Sequence, residues 1–245
     1  MPPFNDARAR RAVSFALDRA GLLRRSGQGG QITCQVLPPN FPGYRPYCPY
    51  TRDADAGGAW SAPDLAKARE LVRQSGTAGA RVTFWAFKVD GNVVADAEVA
   101  RETFTQLGYR FSAKIFPDGG AYFGALANAP KNEPTAGVNG WLADYPAASN
   151  FFEPMSCATI GDAAGNSSRF CSAAFNRKLE QAEAVQTRDP GAAAKLFGRL
   201  DRDATDQAIW VSTFTPRNID LVSKRVGNYQ HHPLFGVLLD QLWVR

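Results

Sequence analysis

Apolar positions follow a helical spacing near the start of the chain and again after a proline-rich segment. The first helix should begin after Asp6, whose carboxylate can accept hydrogen bonds from the free amides of the first turn, and continue to about Arg19. The second should have Pro63 in its first turn and end at Gly76. The apolar faces that predict these two helices are Ala9, Ala12, Val13, Ala16 and Leu17, and then Leu65, Ala68, Leu71 and Val72.

The middle of the chain predicts a sheet. Residues 81–87 alternate and are rich in β-branched and aromatic side chains, so they should form a strand. A helix over 92–107 and a strand over 110–116 follow. A strand, helix and strand of these lengths imply two parallel strands joined by a crossover helix, and therefore an α/β fold. A third helix over 120–126 should lead into a strand from Val138 to Leu142.

The last third of the chain returns to helical spacing and then ends in an apolar tail. One helix is predicted from Ala173 to Gln186, and a second should begin at Asp189-Pro190. Residues 209–214 should form a strand that Pro216 ends. Beyond it, residues 219–222 and 234–244 are apolar enough to need a partner surface.

Residues 137–152 carry the most distinctive chemistry of the chain. Trp141, Asp144 and Tyr145 lie within five positions, directly before Pro146. An indole, a carboxylate and a phenol so close together suit the wall of a binding pocket at the carboxyl end of a strand, where ligands of such sheets usually bind. The alternative is that Trp141 is a core aromatic residue and Asp144 a turn residue.

Three sequence motifs resemble one protein family. The run Trp-Leu-Ala-Asp-Tyr at 141–145, followed by Asn150-Phe151-Phe152, resembles a signature in the C-terminal lobe of the oligopeptide- and dipeptide-binding receptors of ABC importers, solute-binding protein family 5. Residues 4–19 are similar to the helix that opens this lobe, and residues 63–76 to the helix before its first strand. The resemblance implies one lobe of a periplasmic-binding-protein-like (type II) fold, with a mixed sheet flanked by helices and a long bridged loop segment.

The resemblance also implies a role for each residue of the central cluster. Asp144 matches the aspartate that pairs with the α-ammonium group of the ligand in the family. Trp141 would form a flat wall against the ligand, and Tyr145 a polar and aromatic support. Many relatives have an acidic residue or Asp-Pro where this chain has Ala147-Ala148, so the size of the ligand stays open. A peptide or another small solute is expected, with no metal or other cofactor.

The organisation of the chain follows from the same resemblance. Family receptors are about twice this length, so residues 1–216 would be the ligand-binding lobe and residues 217–245 a tail that returns to a missing N-terminal lobe. The expected partners are the permease subunits of an importer, and the expected location is extracellular or periplasmic, near a membrane, through an anchor outside this chain. The N-terminus lacks the basic and apolar regions of a signal peptide, which would then mean truncation. A homodimer formed through the exposed tail is the alternative.

Four cysteines form two pairs with equal spacing: Cys34 with Cys48, and Cys157 with Cys171. Three connectivities are possible, and we favour local pairing because each short loop closes at a low entropic cost. Two disulfides would fit an oxidising, exported environment. A metal site is the alternative, but the chain has no Cys-x-x-Cys motif and only the adjacent histidines His231 and His232.

Two other classes of function, nucleic-acid binding and catalysis, have little support in this sequence. The formal charge is +5, but most basic residues are scattered, which argues against nucleic-acid binding. The adjacent histidines do not show the order typical of a catalytic triad. Asp144 and Glu153 are separated by a proline and a loop, so they do not indicate the carboxylate pair of a glycosidase. We therefore expect a binding protein rather than an enzyme.

Overall fold

The computed structural model describes residues 1–90, 92–130, 133–161, 165–232 and 235–245. Seven α-helices lie in these ranges: α1 (Ala7–Ala16), α2 (Arg19–Ser26), α3 (Leu65–Ser75), α4 (Ala95–Gln106), α5 (Gly119–Ala127), α6 (Ala173–Gln186) and α7 (Pro190–Asp206). Their strands are β1 (Gly30–Ile32), β2 (Arg81–Val89), β3 (Asn92–Val93), β4 (Arg110–Phe116), β5 (Ala136–Gly137), β6 (Phe214–Pro216), β7 (Val226–Gly227), β8 (His231–His232), β9 (Gly236–Val237) and β10 (Trp243–Val244).

The main sheet is mixed and has β2 at its centre. Strand β4 runs parallel to β2 along its first seven residues, from Arg81 paired with Arg110 to Phe87 paired with Phe116. Strand β5 is parallel to β2 on the other side, and β3 turns back antiparallel at its end. Helix α4 is the crossover between β2 and β4, as the sequence predicts. The α/β class and the mixed sheet flanked by helices are confirmed.

Two large apolar cores divide the lobe. The first contains Val82 and Phe84 of β2, with residues of α1, α3 and α4 packed against them. We call β2, β4 and β5 with α1, α3, α4 and α5 the sheet half. The second core packs α6 and α7 against short 3-10 turns between Ala148 and Met155. We call α6, α7 and the two disulfide loops the bridged half.

Both disulfides join cysteines of the same loop. Cys34 is bonded to Cys48, and Cys157 to Cys171, with Cα atoms 5.0 and 4.9 Å apart. This is the local pairing that the spacing favours. Gly43 of the first loop touches α7 so closely that a Cβ atom there would collide with the carbonyl of Ala194. Its φ of +93° is also one that favours glycine.

Asp201 of α7 holds the first disulfide loop by hydrogen bonds. One carboxylate oxygen accepts from the amides of Val36 and Leu37 at 2.9 and 3.2 Å, and the other accepts from Gln35 Nε2 at 2.5 Å. Asp201 is buried, and burial raises its pKa to about 6 although these hydrogen bonds and Arg202 lower it. The loop is therefore attached to the helix through one buried acid as well as by apolar contact.

Strands β1 and β6 form a two-stranded antiparallel ribbon at the edge of the lobe. The fully buried guanidinium of Arg19 lies at its base and donates to the carbonyls of Ser14, Thr33 and Ser212 at 2.9, 3.2 and 2.9 Å. Burial lowers the pKa of Arg19 to about 10, so it is still charged at neutral pH. A single side chain thus ties α1 to both strands of the ribbon.

Residues beyond the ribbon pair mainly with one another. Strand β7 pairs with β10, and β8 pairs with β9, so the second antiparallel pair lies between the two strands of the first along the chain. Within the described residues of this tail, large apolar side chains are exposed to solvent: Ile219, Leu221, Val222, Phe235, Leu239, Trp243 and Val244. Leu234, which the sequence assigns to the apolar tail, lies outside the described residues.

Several predicted boundaries are wrong. The first helix is interrupted at Leu17, because Asp18 caps a second helix through its bond to the Gly21 amide. Asp64, one residue after Pro63, is the N-cap of α3. Residues 209–213 are not a strand, because the Ile209 amide still bonds to Ala204 at the end of α7, and only Phe214–Pro216 finds a partner strand.

The predicted strand from Val138 to Leu142 is also wrong. Only Ala136–Gly137 pairs with β2, and the Val138 amide adds one further bond to the Trp85 carbonyl at 3.1 Å. A strand needs a continuous ladder of backbone partners, and the bonds to β2 end at Val138. Trp141 therefore lies several residues beyond the end of the sheet strand rather than at its last position.

Candidate functional site

The residues between β5 and α6 carry the candidate site. Tyr122 of α5 is buried, and its hydroxyl donates to the Val138 carbonyl at 2.5 Å, which fixes the point where the chain leaves the sheet. A 3-10 turn at Ala148–Phe151 then brings the chain back towards α6 and α7. Trp141, Asp144 and Tyr145 lie on the loop between these two fixed points.

Asn150 connects Trp141 to Asp144. Its Oδ1 accepts from the indole Nε1 of Trp141 at 3.0 Å and from the backbone amide of Asp144, also at 3.0 Å. Its Nδ2 donates to Oδ2 of Asp144 at 3.2 Å. Asn150 itself is fully buried. The loop therefore has a definite shape although it contains no regular secondary structure.

Each of the three predicted residues is accessible to solvent to a different degree. Trp141 is half-buried and packs against the core of the bridged half, so its indole is not sealed inside the lobe. Asp144 is exposed, and no Lys or Arg of the described residues lies within salt-bridge distance of it. Tyr145 is 38% exposed, and its hydroxyl accepts from Ser149 Oγ at 3.2 Å. The structure brings the three together through Asn150 and Ser149.

A shallow groove of about 400 Å³ continues from Tyr145 towards α6. Oxygen-bearing side chains line most of it: Ser149, Glu153, Ser156, Thr159, Glu183 and Gln186. Burial raises the pKa of Glu183, and the nearby carboxylates of Glu153 and Glu180 raise it further. Such a lining favours hydrogen-bond donors and positively charged groups.

The structure also locates the residues of the alternative metal site that the sequence raised. Among the described residues, no group of three or more His, Cys, Asp and Glu side chains could hold a metal ion. The two histidines lie in β8 of the tail, where His231 Nε2 is 3.8 Å from a carboxylate oxygen of Asp220. Within the described part of the chain, no helix is both long and apolar enough to cross a bilayer.

Sequence analysis missed the role of Asn150. Its position was part of the family signature, but an asparagine beside turn residues gives no sign that it will be buried. The sequence feature that indicates burial of Asn150 is the pair Phe151 and Phe152, which follow it directly and belong to a core. A polar side chain that is buried beside core aromatics needs hydrogen-bond partners for its amide, as Asn150 has here.

Comparisons with known proteins agree on one family. The family model of bacterial extracellular solute-binding proteins, family 5 Middle, matches residues 1–162. Heme-binding protein A of Haemophilus influenzae is 25% identical over 97% of this chain, and the dipeptide-binding protein of Escherichia coli is 24% identical over 95% of it. The solved structure of clavulanic acid biosynthesis oligopeptide binding protein 2 covers 100% of this chain with a TM-score of 0.84 at 23% identity.

The chain spans about 42% of the length of each of these two curated relatives and 44% of that solved structure. The structural likeness shows a shared fold, and this chain matches only part of the solved structure. The match of the family model extends over more than half of the chain. The chain therefore belongs to the bacterial extracellular solute-binding proteins of family 5.

Proposed function

We propose that this chain is one lobe of the substrate-binding component of an ABC importer, and that it forms half of a cleft for a peptide or a similar small solute. The observation that carries the proposal is the surface cluster of Trp141, Asp144 and Tyr145, in which the buried Asn150 holds the first two and Ser149 bonds to the third. Membership of the family and the names of the peptide-binding relatives support the same conclusion.

Asp144 is the residue that would recognise the ligand's amine. Its carboxylate is exposed and has no cationic partner among the described side chains, so the α-ammonium group of a peptide could take that place. Trp141 would offer one face of its indole to the ligand, and Tyr145 its phenol. A hydrogen bond between two charged groups is among the stronger polar interactions once water is excluded from it.

The ribbon of β1 and β6 would be the connection to the second lobe. In this proposal, residues 1–216 form the ligand-binding lobe and residues 217–245 the tail that packs on the other lobe. The exposed apolar side chains of the tail support that assignment, because Leu221 is 96% and Ile219 74% exposed without such a partner. Closure of the two lobes would bury the ligand and present a surface to the permease, outside the cytoplasmic membrane.

The proposal can be tested in a receptor that contains both lobes. Calorimetry would compare trialanine with N-acetyl-trialanine, and wild type with Asp144→Asn. Loss of one charge-assisted hydrogen bond should weaken trialanine binding by about 10- to 100-fold. Glu98→Gln, which changes an exposed carboxylate on α4, is the control and should bind as wild type does.

Equal affinity of the wild-type receptor for both trialanine forms would contradict the role given to Asp144. Recovery of hydrolysed peptide, with hydrolysis abolished in Asp144→Asn, would contradict a purely binding function. The isolated lobe should bind trialanine much more weakly than the two-lobed receptor, because it holds only half of the contacts. Sub-micromolar binding to the isolated lobe would contradict that part.

Self-association is the second candidate function, and the exposed tail is the observation that favours it. Two copies could cover the exposed apolar side chains of each other's tails, such as Ile219, Leu221 and Trp243. Light scattering of the isolated chain distinguishes the two candidates. A monomer at micromolar concentration would leave the second lobe as the partner of the tail, whereas a stable dimer that Leu221→Asp dissociates would favour self-association.

A further inference from the structure

We propose that Asn150 is a positioning residue, which fixes Trp141 and Asp144 relative to each other before ligand arrives and thereby raises the affinity of the receptor for an α-ammonium group. This inference rests on the proposed function. Asn150 is fully buried and would not touch the ligand itself. Its contribution would come from holding the indole and the carboxylate in their binding geometry.

The hydrogen bonds of Asn150 join the two ligand-binding residues. Its Oδ1 uses two acceptor directions, one for the Trp141 indole and one for the Asp144 amide, both at 3.0 Å. Its Nδ2 donates to the Asp144 carboxylate at 3.2 Å. The orientation of the amide is set by these partners, because rotation by half a turn would place the NH₂ group against two N–H donors. Trp141 and Asp144 are therefore fixed by the same side chain.

The backbone around Asn150 is held by the core. Phe152 is fully buried and stacks on Phe197 of α7, with ring centroids 5.8 Å apart. Phe151 meets Phe41 of the first disulfide loop edge-on, with centroids 4.7 Å apart. Asn150 lies between this packed pair and the exposed loop, so it transfers the rigidity of the core to the surface cluster.

Without Asn150, Trp141 and Asp144 would become free to adopt other rotamers. The ligand would then have to order both side chains on binding, and ordering rotamer-rich side chains reduces affinity. We expect replacement of Asn150 to weaken trialanine binding about tenfold. The loss should be no larger than the loss caused by Asp144→Asn, because the carboxylate itself is retained.

The chain offers a matched control for the stability effect of this change. Asn166 is also an asparagine that is almost fully buried, and it makes three hydrogen bonds. Its partners are the carbonyls of Ser156 and Phe170 and the hydroxyl of Ser168, which lie in or directly before the second disulfide loop. Asn166→Ala should therefore lower stability as Asn150→Ala does, without releasing Trp141 or Asp144.

The experiment uses the two-lobed receptor with trialanine as the probe, and compares wild type, Asn150→Ala and Asn166→Ala. Affinity is measured by calorimetry and stability by thermal unfolding. In ¹⁵N-tryptophan-labelled protein, the indole hydrogen of Trp141, assigned with Trp141→Phe, should exchange at least tenfold more slowly than the indole hydrogen of free N-acetyl-tryptophanamide in the same buffer. Asn150→Ala should remove this protection and weaken binding about tenfold, while Asn166→Ala should do neither.

Two results would overturn the inference. One is an affinity of Asn150→Ala equal to that of Asn166→Ala. The other is a wild-type Trp141 indole that exchanges as fast as free N-acetyl-tryptophanamide, which tests the hydrogen bond even if Asn150→Ala does not fold. Failure of the proposed function looks different, because Asp144→Asn would then bind trialanine normally while the Trp141 indole stays protected.

Discussion

The two halves of the lobe are stabilised in different ways. The sheet half is held by aromatic and aliphatic packing, with Phe104 in contact with the rings of Phe84 and Phe111. The bridged half has an apolar core as well, but its loops depend on a few polar or covalent links, such as Asp201 and the two disulfides. The stability of the sheet half should therefore depend on the volume of its buried side chains. The stability of the bridged half should depend also on individual hydrogen bonds and disulfides.

The largest expected effect tests the dependence of the sheet half on volume. Phe104→Ala removes a 4% exposed ring from four aromatic neighbours and should lower the free energy of unfolding by about 4 kcal/mol. Urea unfolding followed by far-UV circular dichroism measures the loss. Phe235→Ala is the control, since Phe235 is 69% exposed and its removal should change stability by less than about 0.5 kcal/mol. Similar losses in both variants would contradict the dependence of stability on the volume buried in the sheet half.

The second prediction concerns a covalent link of the bridged half. Replacing Cys157 and Cys171 together by serine frees a loop closed by a cross-link over 14 positions and should reduce stability by about 3 kcal/mol. Thermal unfolding of the double variant, compared with wild type with and without reducing agent, measures the effect. The reductant should destabilise wild type more than the variant, because wild type loses both links whereas the variant loses only Cys34–Cys48. An unchanged unfolding midpoint in the variant would argue that polar contacts alone hold this loop.

The smallest predicted effect concerns the pH dependence of one polar link in the bridged half. Burial raises the pKa of Asp201 to about 6, above its value in an unfolded chain, so the folded protein takes up a proton more readily than the unfolded one. The contribution of this group to stability is complete below about pH 4 and is lost as the pH rises through 6. The contribution of Asp201 to the free energy of unfolding should be about 2 kcal/mol greater at pH 4.5 than at pH 7.

Unfolding curves of Asp201→Asn and wild type between pH 4.5 and 7 test this prediction. The variant keeps an oxygen for the Val36 and Leu37 amides but does not titrate, so the stability difference between the two proteins should change with pH. Leu200→Ala, at the neighbouring buried position, should lower stability by the same amount at each pH. A constant difference between Asp201→Asn and wild type would show that Asp201 does not titrate in this range.

Much of the sheet half could be predicted from sequence. The apolar and β-branched patterns of strands β2 and β4 and of helix α4 are typical of these elements, so the patterns located them within a few residues. Asp6 was correctly predicted to cap α1, and α7 was correctly predicted to begin at Asp189-Pro190. These features depend on neighbours in the chain, which a sequence displays directly.

Prediction was poorer wherever a distant partner decides the structure. Residues 138–142 and 209–213 contain apolar and aromatic side chains typical of strands but have no continuous ladder of backbone partners, and spacing contains no information on such partners. The candidate site shows the same limit. Trp141, Asp144 and Tyr145 were selected from sequence, whereas the bonds from Asn150 that hold two of them depend on how the loop folds back.

The ribbon at Arg19 constrains the order in which the lobe can fold. Its two strands, Gly30–Ile32 and Phe214–Pro216, come from opposite ends of the chain, and the guanidinium gains its carbonyls only when both have arrived. Contacts between such distant segments carry the greatest closure entropy and tend to form late. Amides of the ribbon, such as Thr33 bonded to Thr213, should therefore exchange as one cooperative unit that opens before the sheet does.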